Sequence, residues 1–252
     1  MSFVPQPAIS EETLHALQRD MFSYFLKESN PENGLVLDKT KQGSPASIAV
    51  VGFALAAYPI GVERGFMTRA EAVELTLATL RFFWNSPQGA EPDATGYKGF
   101  YYHFLDMDTG RRVWDCELST IDTTFLLAGM LTAAAYFDNE SEEEQEIHKL
   151  AGALYRRADW RWAQNGGATV SHGWMPESGF LPYRWEGYDE ALYFTCSASV
   201  QLLTRCLKRA TPHGALPTNG KRSTATNFST AARFFFISFL TCGLIFVAFK
   251  IN

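Results

Sequence analysis

The sequence predicts an all-α protein built as about half of a closed ring of helical hairpins. Two observations predict it. Segments carrying one apolar stripe alternate with segments apolar on every side, and the alternation runs through the chain to about residue 195. Ser and Thr caps open most of these segments, and two long irregular connections separate them. An outer helix keeps one face in water and an inner helix keeps none, so the alternation describes a ring with an inner layer.

The first helix opens at Ser10, with Glu11 and Glu12 in its first turn, and Leu14, Leu17, Met21, Phe22 and Phe25 make one stripe. The second is expected from Ser44 as cap and Pro45 as first helical residue, and "PASIAVVGFALAAYPIG" carries no charge on any face. The third, Thr68 to Trp84, has the capping box Thr68/Glu71 and the stripe Val73, Leu77, Leu80 and Trp84. From Ser119, "STIDTTFLLAGMLTAAAYF" is apolar all round after its first turn. Ser141 to Asn165 is amphipathic again, with the box Ser141/Glu144, the stripe Ile147, Leu150 and Leu154, and a Gly166-Gly167 stop. A sixth helix begins near Tyr188 with "YDEALYF". A closed ring of six hairpins needs roughly 300 residues or more. Residues 1–195 supply about half of it, so the inner helices are expected to expose apolar faces that the other half would cover.

The chain has 252 residues, 46% of them hydrophobic and 14% aromatic, enough for a sizeable core. Its net charge of −5 conceals an asymmetry. Residues 1–196 hold 15 basic and 27 acidic side chains, residues 197–252 hold 7 basic and no acidic ones. An acidic body without a basic patch interleaved with aromatics excludes nucleic acid as a partner. Cys116, Cys196, Cys206 and Cys242 show neither CxxC nor Cys/His ligand spacing, so no disulfide framework and no zinc site is expected. "MSFVPQPAISEETLHALQRD" lacks a basic segment followed by an apolar one, and the expected location is cytoplasmic.

The chemistry concentrates in the two long connections, about residues 85–118 and 166–187, which lead into the N-terminal ends of inner helices and so line one mouth of the ring. In the first, "FYYHFLDMDTGRRVW" alternates around the turn Asp108-Thr109-Gly110 and predicts a small β-hairpin presenting Tyr102, Phe104 or their neighbours. Glu117 and Asp122 bracket the helix start that follows. The second contributes Glu177, Glu186, Asp189 and Glu190 beside Trp174, Tyr183, Trp185 and Tyr188. Carboxylates facing each other across an aromatic-lined cleft are what glycoside cleavage needs: one protonated to donate to the leaving oxygen, another ionised to activate water or attack. Aromatic rings stack on the apolar faces of sugars, while Arg184 and Asp189 are of the type that bonds hydroxyls.

Each acid also has a structural account. A capping box with Ser119 suffices for Asp122, and Glu186, Asp189 and Glu190 complement a helix dipole. Glu177, in "MPESGF", has no helix to cap and reads as functional; Glu117 stands between the two readings. His103, in an aromatic strand-like run, reads as a hydrogen-bonded structural histidine rather than a metal ligand. Trp160 and Trp162 read as core; Trp174 and Trp185 read as sugar platforms.

The motifs "SIAVVGFALAAYPIGVERGFMTRAEA", "TLRFFWNSPQG", "GYKGFYYHFLDMDTGRRVWDCELSTIDT", "ALYRRADWRWAQNGG" and "GWMPESGFLPYRWEGYDEA" occur in order across about residues 14–194. With them the chain resembles the bacterial glycoamylase-like domain family, which includes endo-β-1,2-glucanases and a domain of cyclic β-1,2-glucan synthases. The resemblance implies an (α/α)6 toroid whose acidic cleft hydrolyses or transfers β-linked glucan without a metal or other cofactor. It places the acidic motif positions at Glu117, Asp122, Glu177 and Glu190 and the aromatic wall at Tyr102, Trp174 and Trp185. Asp189 departs from the asparagine expected there and adds a negative charge beside Glu190. An oligosaccharide or polysaccharide is the implied partner. An α-glucan-acting glucoamylase, and an inactive sugar-binding or membrane-tethered remnant, are the competing readings.

Residues 196–252 depart from the family pattern. Back-translated with suitable synonymous codons and read in a shifted frame, "NGKRSTATNFSTAARFF" gives Trp-Lys-Glu-Ile-Tyr-Gly-Tyr-Glu-Phe-Leu-Tyr-Ser-Gly-Pro-Leu-Phe, which looks like the family's next motif. A frameshift near residues 194–200 is the expectation. Taken at face value, the uncharged apolar run 234–249, between Arg233 and Lys250, is a little short of the roughly 20 residues of a spanning helix and would be a C-terminal anchor behind a basic tether. Sequencing the coding DNA past the codon of Glu190 is expected to show a shifted frame continuing through further helices; a sequence in which no frame continues establishes the tail instead.

Overall fold

The computed structural model describes residues 10–186. Helices dominate, accompanied by two small antiparallel sheets. Helix α1 spans Glu11–Lys27; Ser10 accepts from the Thr13 amide, as its capping role requires. Strand β1 (Ala46–Ser47) leads into α2 (Ile48–Glu63), and α3 spans Arg69–Asn85. Strands β2 (Gly96–Tyr97), β3 (Phe100–Tyr102), β4 (Phe104–Leu105) and β5 (Leu118–Ser119) follow. Helices α4 (Thr120–Tyr136), α5 (Glu142–Arg157) and the single turn α6 (Trp160–Ala163) precede β6 (Gly173–Met175) and β7 (Gly179–Phe180).

The two helices without a charged face, α2 and α4, are the buried pair, and they pack on each other more extensively than any other two described elements. Glycine makes this possible. A Cβ on Gly52 would lie 2.4 Å from the Phe125 carbonyl oxygen, and one on Gly129 would lie 2.1 Å from the Gly52 carbonyl oxygen. The backbones therefore touch directly, with Phe53 and Phe125 meeting beside them at 5.5 Å. The amphipathic α3 and α5 form an outer pair clamped by two fork-shaped ion pairs, Arg69 with Glu144 and Arg81 with Glu146.

Five strands lie in the order β2-β3-β5-β6-β7, and β1 pairs with β4 in a second sheet. Strands β1 and β5 run straight into α2 and α4, so the sheets sit at the N-terminal ends of the buried helices. The first long connection thus leads into the N-terminal end of α4, as expected; the sixth helix, near Tyr188, into which the second was expected to lead, lies outside the described residues.

Four local expectations are corrected. The second helix begins at Ile48 rather than Pro45, because the intervening backbone pairs elsewhere: Asp38 donates to the Pro45 carbonyl, Ser47 to Val36 and Ile48 to His103. The fifth helix ends at Arg157. There the Lys98-Gly99 turn presses on it so closely that a Cβ on Gly99 would meet the Arg157 carbonyl carbon at 2.5 Å; Asp159 donates its amide to Lys98 and caps the separate turn α6. The predicted hairpin closes at its tip, where the Asp106 carboxylate accepts from the amides of Asp108 and Thr109 and Leu105 bridges to Arg112, but its ascending arm breaks at His103 and is shared between the two sheets. Finally, α4 is buried along nearly its whole length, and exposed aliphatic side chains cluster instead on α1, at Leu14, Leu17, Met21 and Leu26. Only Phe22 of that helix is buried; it fills the space over Gly61.

Replacing Gly129 by Ala is expected to force α2 and α4 apart and to cost about 2 kcal/mol, read as a lower denaturant midpoint. An unchanged midpoint would show that the backbone contact is not a packing constraint.

Candidate active site

The sheet at the N-terminal end of α4 gathers the polar chemistry into two linked groups. Glu117 precedes β5, Ser119 caps α4 and Asp122 lies in its first turn. The Ser119 hydroxyl donates to Asp122 Oδ2, and the Asp122 amide donates back to Ser119 Oγ. His103, at the break between β3 and β4, places Nδ1 2.9 Å from Glu117 Oε1 and Nε2 3.7 Å from Asp122 Oδ2. The second group is Arg112 with Glu177. Glu177 stands in the turn between β6 and β7, half exposed, and accepts from both terminal nitrogens of Arg112 at 2.7 and 3.2 Å. The guanidinium itself is buried: it lies over the Tyr102 ring at 4.7 Å and donates from Nε to the Cys116 carbonyl. That carbonyl precedes Glu117, which ties the two groups together.

These surroundings separate the protonation states of the three acids. Burial raises the pKa of Asp122, and the His103 charge and Ser119 hydrogen bond offset only part of that rise. Burial also pushes Glu117 upward, but the hydrogen bond and charge of His103, with Arg112 further off, carry it below the ordinary value. The Arg112 hydrogen bonds hold Glu177 below its ordinary value against a smaller desolvation effect. For His103, burial works against the charged form and is outweighed by Glu117 and Asp122, so its pKa is raised. A carboxyl whose pKa is raised thus lies beside others whose pKa is lowered, the direction of separation that divides acid from base.

No protein-family model matches the chain. An exo-β-1,2-glucooligosaccharide sophorohydrolase (non-reducing end) of Parabacteroides distasonis is 29% identical over 201 residues, covering 76% of this chain and 27% of that protein. A crystal structure of a β-1,2-glucanase from Parabacteroides distasonis superposes with a TM-score of 0.69 at 25% identity, over 77% of this chain and 28% of that one. A glucoamylase-like protein of Bacteroides uniformis gives 0.68 at 26% identity, over 77% and 48%. The chain resembles the glycoamylase-like proteins related to β-1,2-glucanases. The endo-β-1,2-glucanase of Chitinophaga pinensis, solved with sophorotriose and glucose, shares the fold with a TM-score of 0.67 at 21% identity, over 77% of this chain and 48% of that one. The chain spans about a quarter of the length of the curated relative it matches and about half of two of these solved relatives.

Of the glycoamylase-like motif positions, Glu117 and Asp122 flank β5 and are linked through His103, and Glu177, in the β6–β7 turn, is joined to them through Arg112 and the Cys116 carbonyl. Glu190, Tyr188 and Asp189 lie outside the described residues, as does the apolar run 234–249. Among the described residues no helix is long and apolar enough to cross a membrane. Tyr102 is fully buried beneath Arg112, its pKa raised to about 12 chiefly by burial, so it supports the guanidinium instead of forming an exposed wall. Arg184 is engaged in structure, its guanidinium donating to the carbonyls of Gln164 and Thr169. Trp185 stacks on His172 at 4.0 Å and donates its indole N–H to Thr120. Trp174 joins Tyr97 and Trp162, with Phe180 against Trp162 at 4.7 Å, in a half-buried aromatic patch on β2, β6, β7 and α6. Trp162, expected in the core, belongs to this patch; Trp160 is buried as expected. Arg112 and the dual contact of His103 went unforeseen, for nothing in "GRRVW" separates a buried arginine from an exposed one.

His103, Glu117 and Asp122 are also the group of described side chains whose ligand-type atoms lie within 4.8 Å of one another. The two imidazole nitrogens face different carboxylates, Nδ1 toward Glu117 and Nε2 toward Asp122. The concave groove of about 650 Å³ between α3 and α5 is lined by Arg69, Arg81 and Glu144 and includes none of Glu117, Asp122 and Glu177.

Replacing Arg112 by Ala is expected to cost about 3 kcal/mol, since Tyr102 and the Cys116 carbonyl lose their buried partner. Glu177→Gln should leave the denaturation midpoint near that of the wild type, because its amide oxygen still accepts from the guanidinium at the exposed rim. Equal, large losses in both would show that Glu177 is chiefly a structural counter-ion.

Proposed function

We propose that the chain is a glycoside hydrolase-type domain, part of an (α/α)6 toroid, that acts on a β-glucan, with β-1,2-linked glucose favoured. The observation that carries this reading is the set of acids at the N-terminal end of α4: Asp122 disposed to keep a proton, with Glu117 and Glu177 held ionised by His103 and Arg112. The β-1,2-glucan-acting proteins named above support the choice of substrate.

In this mechanism Asp122 donates its proton to the glycosidic oxygen as the carbon–oxygen bond breaks, and an ionised carboxylate stabilises or attacks the sugar cation that develops. Glu117 and Asp122 have oxygens within 4.8 Å of each other, closer than the roughly 6.5–9.5 Å that an inverting pair needs to hold its water. That spacing is nearer the roughly 5–5.5 Å of a retaining pair, and Glu177, on the neighbouring turn, is the further anionic candidate. The patch of Trp174, Tyr97 and Trp162 offers ring faces to the flanking glucose units.

Incubated with linear β-1,2-glucan and, separately, with starch, the protein is expected to release reducing ends from the first only, and Glu177→Gln is expected to lower that release roughly 10²–10⁴-fold. Release from starch alone would establish the α-glucan reading. Oligosaccharide binding without any product would establish a sugar-binding remnant.

A further inference from the structure

Among the described residues, His103 is the side chain that meets both acids at the start of α4, and its setting is more constrained than a structural histidine requires. Its amide donates to the Glu117 carbonyl at 3.0 Å and its own carbonyl accepts from Ile48, the first residue of α2, at 3.2 Å. The ring lies nearly parallel to Phe104 at 4.0 Å, and the Phe104 amide is in turn held by Cys116 Sγ. Backbone, ring plane and neighbour are thus fixed before any carboxylate is considered. Glu117 is gripped twice, by its carbonyl on the His103 amide and by its carboxylate on Nδ1.

The contacts on the two edges of the ring are unequal. Nδ1 is at hydrogen-bond distance from Glu117 Oε1, whereas Nε2 stands 3.7 Å from Asp122 Oδ2, an oxygen already accepting from Ser119. Nδ1 makes a charge-assisted hydrogen bond to Glu117, whereas at 3.7 Å Nε2 acts on Asp122 through charge alone, and Asp122 is the more deeply buried of the two acids. We propose that His103 is a positioning residue that divides the roles of the two acids: its imidazolium fixes Glu117 as the anion through Nδ1 and leaves Asp122, held off at Nε2, as the carboxyl that carries the proton. The proposal takes its catalytic meaning from the glycosidase reading above.

The division also serves the step itself. When Asp122 passes its proton to the leaving oxygen, the negative charge left on Oδ2 faces the Nε2–H across a gap that a small side-chain adjustment closes. His103 keeps both its protons throughout and transfers none. The other ionisable group whose charge bears on the ring is Asp38, which also favours its protonated form.

The test is an imidazole ¹⁵N NMR titration of the full chain labelled at histidine, with His103→Gln identifying the resonance among the five histidines. The wild-type His103 is expected to be doubly protonated at neutral pH, with a midpoint above the ordinary value of about 6.5. Glu117→Gln should lower that midpoint by about a unit or more, and Asp122→Asn by clearly less. A wild-type midpoint at or below the ordinary value, or equal drops in both variants, overturns the proposal. In an active protein, His103→Gln should also move both limbs of the kcat/KM profile to higher pH, because both acids lose a neighbouring cation; unmoved limbs overturn the positioning role. A wild type that cleaves no glucan refutes the glycosidase reading, while the NMR outcome still decides the electrostatic one.

Discussion

The direct backbone contact between α2 and α4 is the constraint on which the rest of the described structure depends. Gly52 and Gly129 leave no room for a Cβ, so the two helices sit as close as their carbonyls permit. This spacing reaches the chemistry through their N-terminal ends. Ile48, at the start of α2, donates to the carbonyl of His103, and the ring of His103 reaches Asp122 in the first turn of α4. Moving one helix against the other would change the distance between imidazole and carboxylate directly.

The sheet is the second positioning device. Strands of two or three residues are marginal alone, but here β1 and β5 are continuous with buried helices and β3, β5 and β6 pair on both sides, and the turns between strands carry functional side chains. Glu177 projects from one such turn and Arg112 from the return arm of another, so their pairing staples two loops 65 residues apart in sequence. Sites presented by short strands anchored on buried helices combine exposure with rigidity.

Charge arrangement then sets function. The body is acidic, and an undirected cluster of acids would leave every carboxyl resisting ionisation through mutual repulsion. Two cations prevent this. Arg112, enclosed by Tyr102 and the Cys116 carbonyl, always bears its charge, while the acids beside His103 raise its pKa and so favour its charged form. Their unequal distances to the three acids are what distinguish acids that are chemically alike.

The sequence by itself determined the order and character of the helices. Uncharged faces marked α2 and α4 as buried, caps at Ser10, Thr68, Ser119 and Ser141 marked true starts, and the long connections located Glu117, Asp122 and Glu177 at one end of the fold. These features are local, set by periodicity and by hydrogen bonds spanning three or four residues. Only the tertiary structure decided that α2 starts three residues late, that the fifth helix breaks at Ala158, that Tyr102 and Arg184 turn inward and that Trp162 turns toward the aromatic patch. Each of these depends on a partner far along the chain: His103 for Ile48, Lys98 for Asp159, Arg112 for Tyr102. The opposite pKa shifts of Asp122 and Glu117 belong to the same class, because they turn on the deeper burial of Asp122 and on the hydrogen bond that His103, between β3 and β4, makes to Glu117.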